Sequence, residues 1–300
     1  MGKNTFFIHS YCGRFLVWAG LLLVLAGIVC LVLPDDDGPA VPPVRRIVHY
    51  RFSLANQTNR SVSEATFFTF APLASSPFQS CSKLTTSQPF SYETDSNGNR
   101  FLRFDLKNIA PFARQEIKVT VQMDMFSGAR RESFAPQKTD FLSPSQNIES
   151  NAPQLLKQAL LLASKGKSDP ARDIFDWVAG HVRYAGASGK DKGALHALRS
   201  GAGDCTDMAL LFTALCRAAG IPCRTVGGFI CDRNMNLTAS SYHNWAEFFA
   251  AGQWWIADVT NASFKPDGAN YVVFHLYGDG AEEKFQRFRV AGEGLRARMK

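Results

Sequence analysis

The sequence predicts an α+β protein with two folded regions behind an apolar amino-terminal segment. Residues 45–126 contain repeated stretches in which apolar and polar side chains alternate, and the region after residue 151 contains amphipathic helical patterns followed by further strand-like stretches. The composition fits folded domains, because 46% of the 300 residues are hydrophobic and 20% are charged. This order of strands, helices and again strands predicts the α+β class.

The net charge of +7 does not by itself indicate a nucleic-acid-binding protein. The lysines and arginines are scattered along the chain, and no zinc-finger, RNP or helix-turn-helix signature accompanies them. We therefore expect a basic surface without a nucleic-acid partner.

The amino-terminal segment predicts a membrane anchor. Residues 15–33 form an uncharged apolar run that is long enough to cross a bilayer as a helix. Lys3 and Arg14 precede this run and three aspartates follow it, so the positive-inside rule predicts that the tail 1–14 is cytoplasmic and that the main domains are periplasmic or on the cell surface. A cleaved signal peptide is the alternative, but it would have a shorter apolar core and an A-x-A-like cleavage site.

The rest of the chain divides into two domains and two linkers. Residues 34–44 are rich in proline and aspartate and predict a stiff, solvated linker. The alternating stretches of residues 45–126 predict a small all-β sandwich. Residues 127–150 lack periodicity and predict a second linker, which leaves residues 151–300 for the second domain. The final stretch EGLRARMK is expected to be a solvated tail.

The stretch GAGDCTDMALLFTALCRAAGIPCR places Cys205 at the start of an apolar helix. At that position the unpaired N–H groups and the positive end of the helix dipole favour a thiolate. Asp204 and Asp207 fit helix-capping roles, and Gly201 and Gly203 are expected to leave the approach to the sulfur open. Cys205 is therefore the candidate nucleophile.

Two later stretches supply a base and a group to orient it. YHNWAEFF and WWIAD are predicted to form an antiparallel hairpin around a turn near Gly252, which brings His243 close to Asp258. Asp258 would fix the tautomer of His243 and stabilise the imidazolium. His243 would hold Cys205 as a thiolate and later protonate the leaving group.

Together these motifs resemble the transglutaminase-like superfamily. The G-x-C helix start, the RAAGIPCR turn, the H-x-W-x-E strand and the W…D strand follow one another over about residues 170–262. The resemblance implies a papain-like core in which Cys205 is the nucleophile, His243 the general base and acid, and Asp258 the orienting residue. It also implies acyl transfer through a thioester without a cofactor. This chain has DVT where many relatives have DPT, so the turn after Asp258 lacks the proline of the family pattern.

Further roles are expected around these three residues. The backbone N–H of Cys205 is a natural donor to an oxyanion. In relatives an upstream aromatic side chain can be the second donor, and Tyr184 is the candidate here. The resemblance implies a scaffolding pair between Arg224 and Glu247. Trp245 is expected to wall the cleft or to pack beneath it.

The seven cysteines allow two other interpretations. No C-x₂₋₄-C knuckle occurs, so no metal is expected. A disulfide between Cys223 and Cys231 stays open, because an extracytoplasmic setting would permit it.

The favoured function is a membrane-anchored extracytoplasmic thiol enzyme that hydrolyses amide bonds of peptides or proteins. Its substrate is expected among peptides or proteins, with the envelope or cell wall as a possible source. Two alternatives stay open: an amine acyltransferase that crosslinks proteins, and a non-catalytic binding or scaffold module with the same fold.

Overall fold

The computed structural model describes residues 41–130, 141–164, 169–187, 192–278 and 287–300. The predicted tail 1–14, the predicted anchor 15–33 and most of the linker 34–44 lie outside these residues. Within the described ranges, no helix combines the length and the apolar character needed to cross a bilayer.

Strands come first along the chain, a mainly helical region follows, and further strands come last, which is the order expected for an α+β protein. The helices described are α1 (Pro153–Ala163), α2 (Pro170–His181), α3 (Ala194–Ser200) and α4 (Cys205–Ala218). The strands of the first region are β1 (Val44–Asn56), β2 (Val62–Ala71), β3 (Ser75–Ser76), β4 (Gln79–Thr86), β5 (Ser91–Thr94), β6 (Arg100–Ile109) and β7 (Arg114–Met125). The later strands are β8 (Arg183–Tyr184), β9 (Ala202–Gly203), β10 (Cys223–Ile230), β11 (Met235–Asn236), β12 (Tyr242–Ala250), β13 (Gln253–Asp258), β14 (Ser263–Phe264), β15 (Tyr271–Leu276), β16 (Phe288–Ala291) and β17 (Leu295–Met299).

The first region consists of two sheets that share one hydrophobic core. One sheet contains β1, β7, β4 and β3, and the other contains β2, β6 and β5. Along β1 every second residue is buried, from Val48 through Tyr50 and Phe52 to Leu54. This is the burial that the period-two pattern predicts, because alternate side chains of a strand point to opposite faces.

The last two strands of the chain join these sheets. β16 pairs with β2, and β17 pairs with β1, both in antiparallel register. The expectation of a solvated tail is therefore wrong, since Leu295 is buried and Met299 pairs with Phe52. The outward positions of β17 are charged, so this short edge strand has the composition of a solvated segment.

A third sheet carries the candidate site. Its order is β14-β13-β12-β10-β15, and helix α4 packs against it with almost every residue buried. A hydrogen bond of 2.9 Å between Thr213 and Thr225 joins the helix to β10. Phe229 and Phe274 of this sheet share a hydrophobic core with β1 and β2, and residues 42–300 form one compact unit.

The predicted hairpin is formed by β12 and β13. Its two-residue turn consists of Ala251 and Gly252, which both have positive φ angles, 51° and 76°. Such a turn matches the right-handed twist of the two strands. Ala246 pairs with Ala257 in this register, so Asp258 lies opposite Trp245. His243 is therefore the diagonal neighbour of Asp258 on the same face of the sheet.

Candidate active site

Cys205 is the first residue of α4, as the sequence predicts. The Asp204 carboxylate accepts hydrogen bonds from the backbone N–H groups of Thr206 and Asp207, at 3.0 and 3.1 Å. The Asp207 carboxylate in turn accepts from the backbone N–H of Asp204, at 3.2 Å. This capping box confirms the predicted capping roles. Burial raises the pKa of Asp207, which is fully buried.

The structure gives Gly201 and Gly203 roles in backbone conformation and packing. Gly201 ends α3 in the left-handed conformation, with φ of 58°. A Cβ atom on Gly203 would lie 2.5 Å from the Cβ atom of Asp207. Gly203 is therefore required by the close approach of the capping residue, and its expected role in the access of a substrate to the sulfur stays a prediction.

The hairpin brings His243 and Asp258 together. Nε2 of His243 lies 2.9 Å from Oδ1 of Asp258, and the Asp258 side chain is fully buried. The side chain of Cys205 is a second neighbour of His243, and its charge favours the imidazolium. The structure thus joins the three predicted residues in one chain of contacts, from the helix start through the imidazole to the carboxylate.

The electrostatics of His243 follow from these contacts. Burial lowers its pKa, but the hydrogen bond to Asp258 and the charges of Asp258 and Cys205 outweigh burial and raise the pKa from 6.5 to about 9. The imidazole is therefore protonated at neutral pH. A protonated His243 lies between a carboxylate on one side and the sulfur of Cys205 on the other.

Two residues that the sequence did not single out complete the surroundings of Asp258. Tyr271 donates its hydroxyl to Oδ2 at 3.1 Å, and Nδ2 of Asn261 donates to the same oxygen at 2.8 Å. The backbone N–H of Asn261 donates to Oδ1 at 3.2 Å. Burial and the charge of Asp258 raise the pKa of Tyr271, so its hydroxyl stays protonated and available as a donor.

The contacts of Asn261 also settle the turn after Asp258. Both the backbone and the side chain of Asn261 bind the Asp258 carboxylate, and β14 then returns along β13 with Ser263 opposite Asp258. The turn is therefore held by hydrogen bonds to the carboxylate without the proline of the family pattern. An asparagine three residues after the aspartate was the available sequence signal.

Strand pairing holds the backbone of Tyr184 near the start of α4. In the described part of the chain, however, its hydroxyl has no contact with Cys205, His243 or Asp258. Its backbone pairs with Gly203, two residues before Cys205, and its side chain is 52% exposed. A role of Tyr184 as an oxyanion donor remains a prediction.

The expected pair between Arg224 and Glu247 is present and buried. Nε and Nη2 of Arg224 both donate to Oε2 of Glu247, at 2.9 and 2.6 Å. The guanidinium also lies over the ring of Trp254, 4.3 Å from its centroid. Trp245 is completely buried and packs edge-on against Tyr271, so it lies beneath the site and does not line its surface.

The cysteines of the described ranges are all free thiols. Cys223 and Cys231, the pair considered for a disulfide, are both unbridged and lie in different hydrophobic cores. Cys216 lies within α4, where burial raises its pKa far above the usual value. Cys205 differs from Cys216 in being only partly buried.

Comparison with known proteins identifies the region that holds this site. The sequence model of the transglutaminase-like superfamily matches residues 155–259. Kyphoscoliosis peptidase from Homo sapiens is 27% identical over 152 residues, and the Mus musculus protein is 26% identical over the same length. These alignments cover 48% of this chain and 23% of each relative, so the chain spans less than a quarter of their length.

A solved structure extends the likeness to both halves of the chain. A candidate cysteine protease from Cytophaga hutchinsonii aligns with a TM-score of 0.58 at 18% identity, over 86% of this chain and 92% of that one. At this identity the match shows a shared fold. Since the family match contains Cys205, His243 and Asp258 in their expected order, residues 155–259 are a transglutaminase-like core domain.

Proposed function

We propose that this protein is a membrane-anchored, extracytoplasmic thiol enzyme that hydrolyses amide bonds of peptides or proteins. The observation that carries the proposal is the hydrogen bond between His243 and Asp258 beside Cys205, whose interaction with the imidazole raises the pKa of His243. The transglutaminase-like core supports the reaction class, and the relative named a peptidase supports hydrolysis.

The first half of the reaction forms a thioester. The Cys205 thiolate attacks the carbonyl carbon of the amide, and the new S–C bond creates an oxyanion that the backbone N–H of Cys205 can stabilise. When the oxyanion collapses, the C–N bond breaks and the His243 imidazolium gives its proton to the departing amine. The raised pKa of His243 supplies this proton at neutral pH.

The second half returns the enzyme to its starting state. The neutral imidazole of His243 takes a proton from water as the oxygen attacks the thioester carbon. The C–S bond then breaks, the acid product leaves, and the Cys205 thiolate is restored beside the imidazolium. Nε2 of His243 donates its hydrogen bond to Asp258 throughout the reaction. The other ring nitrogen is therefore the one that exchanges a proton with the substrate and faces the sulfur.

The proposed location derives from the sequence of residues 15–33 and from the charges on either side of them. In this proposal the apolar run anchors the chain in the inner membrane, and residues 45–300 act on peptides or proteins outside the cytoplasm, including those of an envelope or cell wall. Extraction of membranes at alkaline pH tests the anchor. The full chain should stay in the pellet, and a chain lacking residues 1–40 should be released.

Alkylation tests whether Cys205 is a reactive thiol. The full chain is treated with iodoacetamide across a pH series, and the modified cysteines are identified by mass spectrometry. We expect Cys205 to react in the folded protein, because it is only partly buried. Cys216 should react only after unfolding, because it is buried. Slow alkylation of Cys205 in the folded protein would indicate a binding module.

A peptide library separates hydrolysis from amine transfer. The enzyme is incubated with the library in the presence and absence of a labelled primary amine, and Cys205→Ala is the control. We expect new carboxyl termini that depend on Cys205 and are insensitive to the amine. Incorporation of the amine as the main product would replace hydrolysis by crosslinking.

A further inference from the structure

Asn244 places a side-chain amide beside the sulfur of Cys205. Its Nδ2 atom lies 3.9 Å from Sγ and donates a hydrogen bond of 2.7 Å to Oγ1 of Thr206, the next residue of α4. Asn244 follows His243 on β12, so the two side chains leave opposite faces of the strand. Both nevertheless contact Cys205, and the sulfur is flanked by the imidazole and the carboxamide.

The orientation of the Asn244 carboxamide is fixed by its neighbours. The hydroxyl of Tyr277 donates to Oδ1 at 3.4 Å, which turns the NH₂ group towards the start of α4. The side chain is also buried, with only 5% of the residue exposed. A carboxamide held on both sides in this way has its N–H donors in place before any substrate arrives.

Gly227 provides the space for this arrangement. It lies opposite Asn244 on β10. A Cβ atom at this position would lie 2.0 Å from the hydroxyl of Tyr242 and 2.8 Å from Oδ1 of Asn244. A side chain on residue 227 would therefore displace the carboxamide. The Gly-Gly pair in the sequence TVGGF is the only local sign of this requirement among the residues of β10.

We propose that Asn244 is a catalytic residue that supplies the second oxyanion donor, beside the backbone N–H of Cys205. This inference rests on the proposed thiol chemistry. One N–H of the Asn244 amide is used by Thr206, and the other is free to turn from the sulfur to the oxygen that becomes negative on the attacked carbon. An effective donor lies about 2.7–3.1 Å from that oxygen, and the carbon bonded to Sγ brings the oxygen towards Nδ2.

The Asn244 amide has two advantages over the hydroxyl of Tyr184 as this donor. It already contacts the sulfur, and it is buried where water competes less with a hydrogen bond to an anion. The ring of Tyr184 is half exposed, and in the described part of the chain its hydroxyl contacts neither Cys205 nor His243.

Two reactions of the same sulfur test the role of Asn244. Acylation by p-nitrophenyl acetate passes through a tetrahedral oxyanion: the thiolate attacks the ester carbon, the C–O bond breaks and p-nitrophenolate leaves. Alkylation by iodoacetamide displaces iodide without forming an oxyanion. In Asn244→Leu of the full chain, acylation of Cys205 should fall about a hundredfold, as expected for loss of one donor. Its alkylation rate at saturating pH should stay near that of the wild type.

Further variants separate the role of the amide from effects on folding. Asn244→Asp keeps the shape of the side chain and its bonds to the hydroxyls of Thr206 and Tyr277, but it replaces the N–H donors by a carboxylate, so acylation should fall at least as far as in the leucine variant. Thr206→Val removes the partner that orients the amide and should lower acylation by a smaller factor. Thr213→Val is the matched control, because this buried threonine of the same helix contacts Thr225 and not Asn244, and it should leave acylation unchanged.

The outcomes distinguish this inference from the proposed function. If wild-type Cys205 is not acylated at all, the thiol chemistry itself fails. If the wild type is acylated and Asn244→Leu is acylated equally fast, Asn244 is not the donor. A parallel fall in acylation and alkylation in both Asn244 variants would indicate a structural role and overturn the inference. Loss of acylation in Tyr184→Phe but not in Asn244→Asp would assign the second donor to Tyr184.

Discussion

Two buried carboxylates on neighbouring strands of one sheet have partners of different kinds. Glu247 on β12 is paired with Arg224, whose guanidinium keeps its charge at every accessible pH. Asp258 on β13 is paired with His243, whose charge can change in the working range, and it also accepts hydrogen bonds from Tyr271 and Asn261. The same sheet thus contains a permanent ion pair and a titratable one.

The positions of these pairs explain the difference. Glu247 lies within β12 and faces Arg224, the second residue of β10, and Trp254 covers the guanidinium. His243 lies at the start of β12, where the imidazole reaches Cys205 at the start of α4. The buried pair of Arg224 and Glu247 therefore joins two strands, whereas the pair of His243 and Asp258 lies beside a partly buried thiol.

The largest expected effect is loss of activity in Asp258→Asn. The amide cannot stabilise the imidazolium or keep Nε2 of His243 as the donor, and the corresponding change in a known triad lowers kcat by about 10⁴-fold. Tyr271 and Asn261 can still bond to the amide oxygen, so we expect the variant to fold. Steady-state hydrolysis and circular dichroism test this together. An active, folded Asp258→Asn variant would contradict the assigned role.

Glu247→Gln is expected to lower the stability of the protein and to leave the activity of the folded molecules unchanged. It leaves the buried guanidinium of Arg224 without a compensating charge, which destabilises a protein by about 3–5 kcal/mol. The reacting groups are untouched, so the folded fraction should keep its activity. Urea unfolding measures the first effect, and activity per folded molecule measures the second. A stable but inactive Glu247→Gln variant would show that the Arg224 pair takes part in the chemistry.

Gly227→Ala tests how strongly the candidate site depends on the close packing of β10 against β12. The added Cβ atom collides with the hydroxyl of Tyr242 and with Oδ1 of Asn244. Overpacking of this kind costs about 1–3 kcal/mol, and displacement of the Asn244 amide should lower acylation of Cys205 as well. Gly252→Ala is a matched control, since no atom lies within 4 Å of its Cβ position. Its positive φ angle of 76° makes that variant strained but leaves the site intact.

Because His243 can lose its proton, we expect stability and activity to depend on pH. The pKa of His243 rises from 6.5 to about 9 on folding, so the folded state binds this proton more tightly than the unfolded state. The stabilisation is complete below about 6.5 and is lost as the pH rises through about 9. Hydrolysis should fall over the same upper range, because the neutral imidazole has no proton for the leaving amine.

Unfolding curves across this pH range test the prediction. The fall in stability above about pH 8 should be smaller in His243→Gln, which lacks the titrating group. The pair of Arg224 and Glu247 provides the contrast, because the guanidinium does not lose its proton over this range. An equal fall in stability with and without His243 would contradict the raised pKa.

The sequence was sufficient to predict that Cys205, His243 and Asp258 lie together, and insufficient to predict the residues around them. A cysteine at a helix start, a histidine at a strand start and an aspartate at the end of the next strand are separated by regular local structure, so their meeting follows from a helix and a hairpin. Asn244 lies at a variable position between two residues of the H-x-W-x-E pattern. Its role depends on a sulfur that is 39 positions away along the chain.

Tyr271 and Tyr277 could not be predicted for a similar reason. They reach the site only because β15 pairs with β10 across the sheet, and no local pattern specifies that pairing. The solvated tail was misjudged because an edge strand with charged outward positions has the composition of an exposed segment. Its inward residue Leu295 is buried only because β1 lies beside it.

The titration of His243 tests the central claim most directly. Histidine-selective NMR on the full chain gives its pKa in the wild type, in Cys205→Ser and in Asp258→Asn. We expect a wild-type pKa of about 9 and lower values in both variants, because each removes a negative charge that favours the imidazolium. A wild-type pKa at or below 6.5 that neither variant changes would contradict the account.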